Sequence, residues 1–182
     1  MKYVALLRGV NVGGNHRVPK AEFQAVLEKL GFRDVVTYIN SGNAVFTTDH
    51  EPEASEVQPA LEEHFGFPIP TLLLSGDKIR AIAAAIPEEW TNDAPNPDKT
   101  GQKSDVLYLF DDVNMPNIIE KLGYVPDIET MQYVDGAVIT NVARAVQTKG
   151  SLQKLVGSEL YSKVTIRNIH TARRLAELAA DE

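Results

Sequence analysis

Residues 6–18 hold the side chains and glycines in this sequence that are best suited to binding an anion. An apolar segment runs into a loop that contains Gly13 and Gly14, and a proline that suits the first turn of a helix follows. A loop between a strand and a helix start presents backbone N–H groups to an anion, and Arg8 and Arg17 add fixed positive charge. The sequence therefore predicts an anion-binding loop with these candidate residues: Arg8, Asn11, Gly13, Gly14 and Arg17.

The known nucleotide-binding motifs do not fit this loop. Gly9 and Gly14 have the spacing of the P-loop glycines, but Asn15 and His16 follow where lysine and a hydroxyl residue are required. The glycine spacing also differs from G-x-G-x-x-G. The alternative interpretation of the glycines is that they only allow a tight turn.

A second polar segment covers residues 38–43. Tyr38 and Asn40 would share one face of a strand, where a phenol and an amide could orient a ligand. Ser41 and Gly42 also suit a tight turn, and the segment lacks the G-x-S-x-G pattern of a nucleophilic serine. The candidates taken from this segment are Tyr38, Ser41 and Asn43.

A third polar segment, residues 167–171, repeats the strand-to-helix arrangement near the end of the sequence. Arg167 at a strand end is well suited to a phosphate or a carboxylate. Asn168 has an alternative role as the N-cap of the following helix. The candidates here are Arg167, Asn168 and Thr171.

The hydrophobic pattern places these segments on an ordered set of elements. The first half predicts, in chain order, a strand at 2–8, a helix at 19–30, strands at 34–40 and 44–47, a helix at 55–65, a strand at 69–74 and a helix at 76–86. The second half predicts strands at 106–110, 128–134, 137–140 and 163–166, with helices at 114–122, 151–161 and 170–180.

Both halves thus follow the order βαββαβ, with one extra helix after each. We expect an α+β fold made by tandem duplication of a ferredoxin-like unit. The predicted organisation is an N-terminal half at 1–86, a Pro-rich linker at 87–103 and a C-terminal half at 104–182. A cleft between two such halves is the natural ligand site.

Composition narrows the function classes. The net charge of −7 argues against bulk nucleic-acid binding, although residues 1–46 and 137–182 are each basic, with a balance of +3. The sequence has no cysteine, its four histidines fit no metal-binding spacing, and no cofactor motif is visible. No apolar run approaches the length of a membrane span, so we expect a cytoplasmic protein.

Three motifs resemble the bacterial family called domain of unknown function 1697: Ala5–Gly14 (ALLRGVNVGG), Thr37–Phe46 (TYINSGNAVF) and Thr165–Thr171 (TIRNIHT). The resemblance implies an α+β fold of two ferredoxin-like halves and implies no activity. The sequence departs from the family pattern at Asn40, where the family commonly has glutamine, at His16-Arg17, where a lysine lies nearer the glycines, and at Ile169, where it has tryptophan.

The leading hypothesis is that the protein binds a small anionic or phosphate-bearing ligand in a cleft lined by residues 8–17, 38–43 and 167–171. One alternative is RNA or single-strand binding on a sheet face, although the strands lack the paired-aromatic pattern. Another is an interaction module without catalysis, anchored by Trp90 if that side chain is exposed.

Overall fold

The computed structural model describes residues 1–181. In the first half the elements are β1 (Lys2–Leu7), α1 (Lys20–Lys29), β2 (Arg33–Thr37), β3 (Asn43–Thr47), α2 (Ala54–Phe65), β4 (Thr71–Ser75) and α3 (Gly76–Ala84). In the second half they are β5 (Gln102–Leu109), α4 (Ile118–Lys121), β6 (Glu129–Val134), β7 (Ala137–Ala143), α5 (Leu152–Leu155), β8 (Val164–Asn168) and α6 (Ile169–Leu178). Short 3-10 segments lie at Asp111–Val113, Arg144–Lys149 and Glu159–Lys163.

The strands form two four-stranded antiparallel sheets, in the orders β2-β3-β1-β4 and β6-β7-β5-β8. The fold is therefore α+β and consistent with two ferredoxin-like halves. No helix within residues 1–181 is long and apolar enough to cross a membrane.

The core of the first sheet forms where apolar residues of β1 pack against the apolar faces of α1 and α2. Alternate residues of β1, Ala5 and Leu7, point to the same face of the sheet. The apolar stripe of α1, which includes Phe23 and Leu27, packs in the same cluster together with Leu61 of α2. The core of the second sheet is built in the same way, from alternate strand residues and the apolar faces of α4 and α5.

The chain divides into two compact units, Met1–Arg80 with the chain from Leu175 onward, and Ala81–Arg174. The division falls inside the helices α3 and α6. Residues 87–101 carry no regular element and are tied by hydrogen bonds within the second unit. Arg144 Nη2, for example, donates to Asp93 O at 2.6 Å, and the Asp93 carboxylate accepts from Gln102 N at 2.7 Å.

Two predicted helices are much shorter than the sequence pattern suggested. The predicted helix 151–161 is only α5, because Ser158 N and Oγ both donate to Leu155 O and end it, and a 3-10 segment follows. The predicted helix 114–122 is only α4. Its first residues leave the helix because Asn114 Oδ1 accepts from Tyr133 Oη and Gly136 N, and because Pro116 disfavours the helical conformation at the preceding residue.

Candidate functional site

The glycine loop that follows β1 is a short hairpin. Asn15 N donates to Val12 O and Asn11 N donates to His16 O, each at 3.0 Å. The two central residues, Gly13 and Gly14, have φ values of 59° and 78°, as a type I′ turn requires. We call residues 11–16 the finger.

The side chain of Asn11 closes the base of the finger. Its Oδ1 accepts from Val18 N at 2.8 Å, and its Nδ2 donates to Val18 O at 3.2 Å. An amide carries one acceptor and donors on the same group, so it pairs with both backbone groups of one residue. Asn11 also has a φ of 56°, a left-handed conformation that asparagine tolerates better than most residues.

Replacing Asn11 by alanine is therefore expected to destabilise the protein by about 2–3 kcal/mol, because two backbone groups lose their partner and alanine is strained at this φ. Urea unfolding measures the change, and hydrogen exchange at Val18 N–H reports the loosened loop. The matched control is Asn15→Ala on the exposed finger tip, which should change stability by less than about 0.5 kcal/mol. Equal losses in the two variants would contradict the closing role of Asn11.

His16, at the end of the finger, packs its ring against the core. The ring lies parallel to that of Phe67, with 4.5 Å between centroids and 16° between planes. Its Nδ1 lies 3.3 Å from Gly9 O and donates to it in the tautomer that has the proton there. The residue as a whole is exposed.

The 38–43 segment forms the turn between β2 and β3, and its asparagine holds that turn together. Asn43 is 1% exposed, and its Nδ2 donates to Tyr38 O at 3.0 Å and to Ser41 Oγ at 2.8 Å. Tyr38 N donates to Asn43 O at 3.0 Å. Of the three candidates from this segment, Asn43 and Ser41 thus contact each other inside the turn.

This turn packs against the start of the finger loop. Leu7 N donates to Gly42 O at 2.8 Å. A Cβ atom on Gly42 would lie 2.7 Å from Leu7 Cβ and 2.8 Å from Val10 Cγ2, so only glycine allows this approach. The close contact brings residue 40 of the turn beside the finger.

A pocket of about 250 Å³ lies between the finger and the turn, within the first unit. Its lining residues are Asn11, Gly14, Arg17, Val18, Pro19 and Asn40. Three of the predicted candidates, Asn11, Gly14 and Arg17, therefore share one pocket. Asn40 was not among the candidates. The prediction that it shares a strand face with Tyr38 is wrong, because β2 ends at Thr37 and both residues lie in the turn that follows.

The start of α1 borders this pocket. Pro19 occupies the N-cap position without a side-chain capping bond, and the first intrahelical bond runs from Phe23 N to Pro19 O. The N–H groups of residues 20–22 thus have no partner inside the helix, and the positive end of the helix dipole lies there. Arg17 is exposed and forms no hydrogen bond or ion pair with any of residues 1–181. Arg8 is half-buried, and its N donates to Pro70 O at 2.9 Å.

The third predicted segment lies in the second unit, where its side chains have partners of their own. Arg167 is 7% exposed, and its Nη1 donates to Thr165 Oγ1 at 2.8 Å and to Ile166 O at 2.9 Å. Burial lowers the pKa of Arg167 to about 10, which still leaves it charged at neutral pH. Asn168 Oδ1 accepts from Thr171 N at 2.9 Å, so Asn168 caps α6, and Thr171 is buried.

Trp90, the candidate anchor for a partner protein, is buried. It is 9% exposed, and Arg173 donates to the backbone beside it, from Nη2 to Pro87 O at 3.1 Å. Trp90 is therefore not available as an exposed anchor for a partner protein.

Fold and site together define a class: an α+β protein with two four-stranded antiparallel sheets and a polar pocket at the first strand-to-helix corner. The chain belongs to the family described as "Protein of unknown function (DUF1697)", whose profile matches residues 1–139. The first two sequence motifs and the whole pocket lie inside the matched residues, and the third motif lies beyond them.

A solved structure is similar over almost the whole length. It is that of the conserved bacterial protein SP0830 from Streptococcus pneumoniae, with 25% sequence identity and a TM-score of 0.77. The similarity covers 98% of this chain and 97% of that chain, so it includes the third motif. No curated protein sequence matches the chain significantly.

Proposed function

We propose that the protein binds a small anionic, phosphate-bearing ligand in the pocket between the finger and the 38–43 turn. One observation carries the proposal: an arginine without a partner among residues 1–181, Arg17, lines a pocket together with two asparagines, at a helix start that has no side-chain cap. A guanidinium supplies charge and paired donors for phosphate oxygens.

Each component of the pocket contributes differently to binding of the anion. Arg17 supplies most of the attraction, because hydrogen bonds to charged groups contribute about 1.5–3 kcal/mol. The N-terminus of α1 adds about 0.3–1 kcal/mol toward an anion. Asn11 is held in place by Val18, so it contributes a fixed position rather than a flexible side chain.

The pocket volume of about 250 Å³ leaves room for a phosphate group together with further atoms of a small molecule. The pocket therefore favours the phosphate end of a small metabolite.

We also infer that the fold is a tandem duplication of a ferredoxin-like βαββαβ unit with an extra helix after each half. Two backbone hydrogen bonds support this, because each recurs at the equivalent place. Leu7 N donates to Gly42 O as Leu109 N donates to Gly136 O, and the next residues donate likewise, from Arg8 N to Pro70 O and from Phe110 N to Lys163 O. The helices α3 and α6 also start in the same way, since Ser75 Oγ accepts from Lys78 N as Asn168 does from Thr171.

The two halves differ in the loop that follows their first strand, β1 in the first half and β5 in the second. After Phe110 the second half turns at once into the 3-10 segment Asp111–Val113, and Asn114 bonds directly to the neighbouring turn at Gly136. The first half instead inserts the finger and leaves the pocket beside it. A local elaboration of one copy is what a binding site added to a duplicated scaffold would show. The prediction that residues 167–171 also line the ligand site stays a prediction.

The test is calorimetric titration with inorganic phosphate and with ribose 5-phosphate at low salt. Arg17→Ala is expected to weaken binding of both about 10- to 100-fold, because it removes charge-assisted hydrogen bonds. Its melting temperature should hardly change, since Arg17 is exposed and has no partner to lose among the residues that the structure describes.

The matched control is Arg33→Ala, which removes an exposed arginine of the same unit that pairs with Asp49. It changes net charge equally and should leave binding unchanged. Equal weakening by both variants would mean general charge attraction rather than a pocket. Absence of phosphate binding by the unsubstituted protein would contradict the proposal itself.

A further inference from the structure

We infer that the ligand is a nucleoside 5′-monophosphate whose base stacks on the outer face of the His16 ring while its phosphate occupies the pocket. The inference rests on the proposed function, because it takes the phosphate site at Arg17 as given. What it adds is the identity of the group attached to the phosphate.

The His16 ring is held as a fixed platform. Its inner face lies on Phe67, which in turn packs against the core of the first unit. The Nδ1 contact with Gly9 O and the bond from Asn11 N to His16 O fix the rest of the residue. A ring fixed before binding loses little conformational entropy when a ligand stacks on it.

The backbone at this position is also unusual. His16 has a φ of 50°, a left-handed backbone conformation that residues other than glycine adopt rarely. The fold therefore holds a strained residue at an exposed position, beside a proposed binding pocket. Such strained residues concentrate at binding sites, where the fixed geometry serves the ligand.

The His16 residue is exposed although one face of its ring stacks on Phe67. We take the opposite ring face as the surface on which a ligand stacks. A flat aromatic face is the surface on which nucleobases stack, and every base has a π-face that can do so.

Platform and pocket belong to one short segment. His16 directly precedes Arg17, and its backbone oxygen accepts from Asn11, a residue that lines the pocket. In the proposed complex the phosphate occupies the pocket at Arg17, and the sugar and base extend from it. We therefore place the base on the ring of His16, the residue that precedes Arg17 in the chain.

The experiment compares AMP with ribose 5-phosphate, which has the same phosphate and sugar but no base. Calorimetric titration of the unsubstituted protein is expected to show AMP binding about tenfold more tightly. In His16→Asn, AMP should fall to the affinity of ribose 5-phosphate, while ribose 5-phosphate binds as before. Asparagine tolerates the left-handed backbone but has no ring, so the variant removes the platform and keeps the loop.

His64→Asn is the matched control. His64 is another exposed histidine whose ring contacts a phenylalanine, Phe65, with 4.6 Å between centroids, but it lies on α2 and pairs with Glu22. This variant should keep the full preference for AMP. Unchanged binding of ribose 5-phosphate shows that each variant is folded at the pocket.

The outcomes separate the two proposals. Equal affinities of AMP and ribose 5-phosphate for the unsubstituted protein would overturn the base platform and leave the phosphate pocket standing. A preference for AMP that survives His16→Asn would place the base elsewhere and overturn the role of His16. Failure of both compounds to bind would overturn the proposed function and this inference with it.

Discussion

Replacing Arg167 by alanine is expected to lower the free energy of unfolding by about 3–5 kcal/mol, with a fall in Tm of roughly 10 °C. Arg167 is almost fully buried, and its long aliphatic stem fills space that alanine would leave empty. The change also removes the donor to Thr165 Oγ1, a buried hydroxyl.

Methionine at the same position separates the packing of Arg167 from its charge. Burial lowers the pKa of Arg167 to about 10, which shows that the surroundings disfavour the charged form. Arg167→Met keeps most of the volume and removes that cost, so it should lose less than half as much stability as Arg167→Ala. Urea unfolding of both variants measures the difference.

Arg174→Ala, at an exposed position of α6, is the control and should change stability by less than about 0.5 kcal/mol. The same variants test the ligand-binding prediction for Arg167. If Arg167→Ala melts like the unsubstituted protein and loses phosphate binding, Arg167 belongs to the ligand site and the structural role is wrong.

The sequence predicted the sheets well because their signals are local. The short apolar run of β1 and the stripe of Phe23, Val26 and Leu27 in α1 each indicated burial, and the stripe lies in one cluster with alternate residues of β1. The constant offset between the halves then indicated the repeated order of strands, which the two sheet orders share.

The helices α4 and α5 are shorter than predicted because the hydrophobic pattern does not show where side-chain hydrogen bonds interrupt a helix. Leu152, Leu155 and Leu160 have helical spacing, but spacing alone does not reveal that Ser158 bonds back to Leu155 and stops the helix. Similarly, Asn114 fits a helix start in the sequence, whereas its side chain is drawn away by Tyr133 and Gly136. Both competing bonds depend on side-chain geometry that a hydrophobic pattern does not contain.

The candidate site was found by residue type rather than by geometry. Arginine, asparagine and glycine marked the first loop, but the finger depends on the pairing of Asn11 with Val18, seven residues away. Asn40 was passed over because the family pattern has another residue there, and only the packing of the turn places it in the pocket. Residue type thus indicated the region of the site, and tertiary contacts decided its members.

Gly42→Ala is expected to destabilise the protein by about 3 kcal/mol, or roughly 6–12 °C in Tm, because two costs add. Alanine at a φ of +76° is strained by about 1–2 kcal/mol. Its Cβ would also lie 2.7 Å from Leu7 Cβ, an atom next to the backbone of a buried central strand that cannot move aside. Overpacking of this kind costs about 1–3 kcal/mol.

Gly31→Ala is the matched control, because Gly31 has a φ of +91° and no atom within 4 Å of the added Cβ. It carries only the backbone strain and should lose about 1–2 kcal/mol. Equal losses in the two variants would mean that the turn does not press against the first strand. A larger loss in Gly42→Ala should come with weaker phosphate binding, since relief of the clash moves the turn, and with it Asn40, away from Arg17 and the finger. Gly42 thereby links the packing of the first sheet to the shape of the pocket.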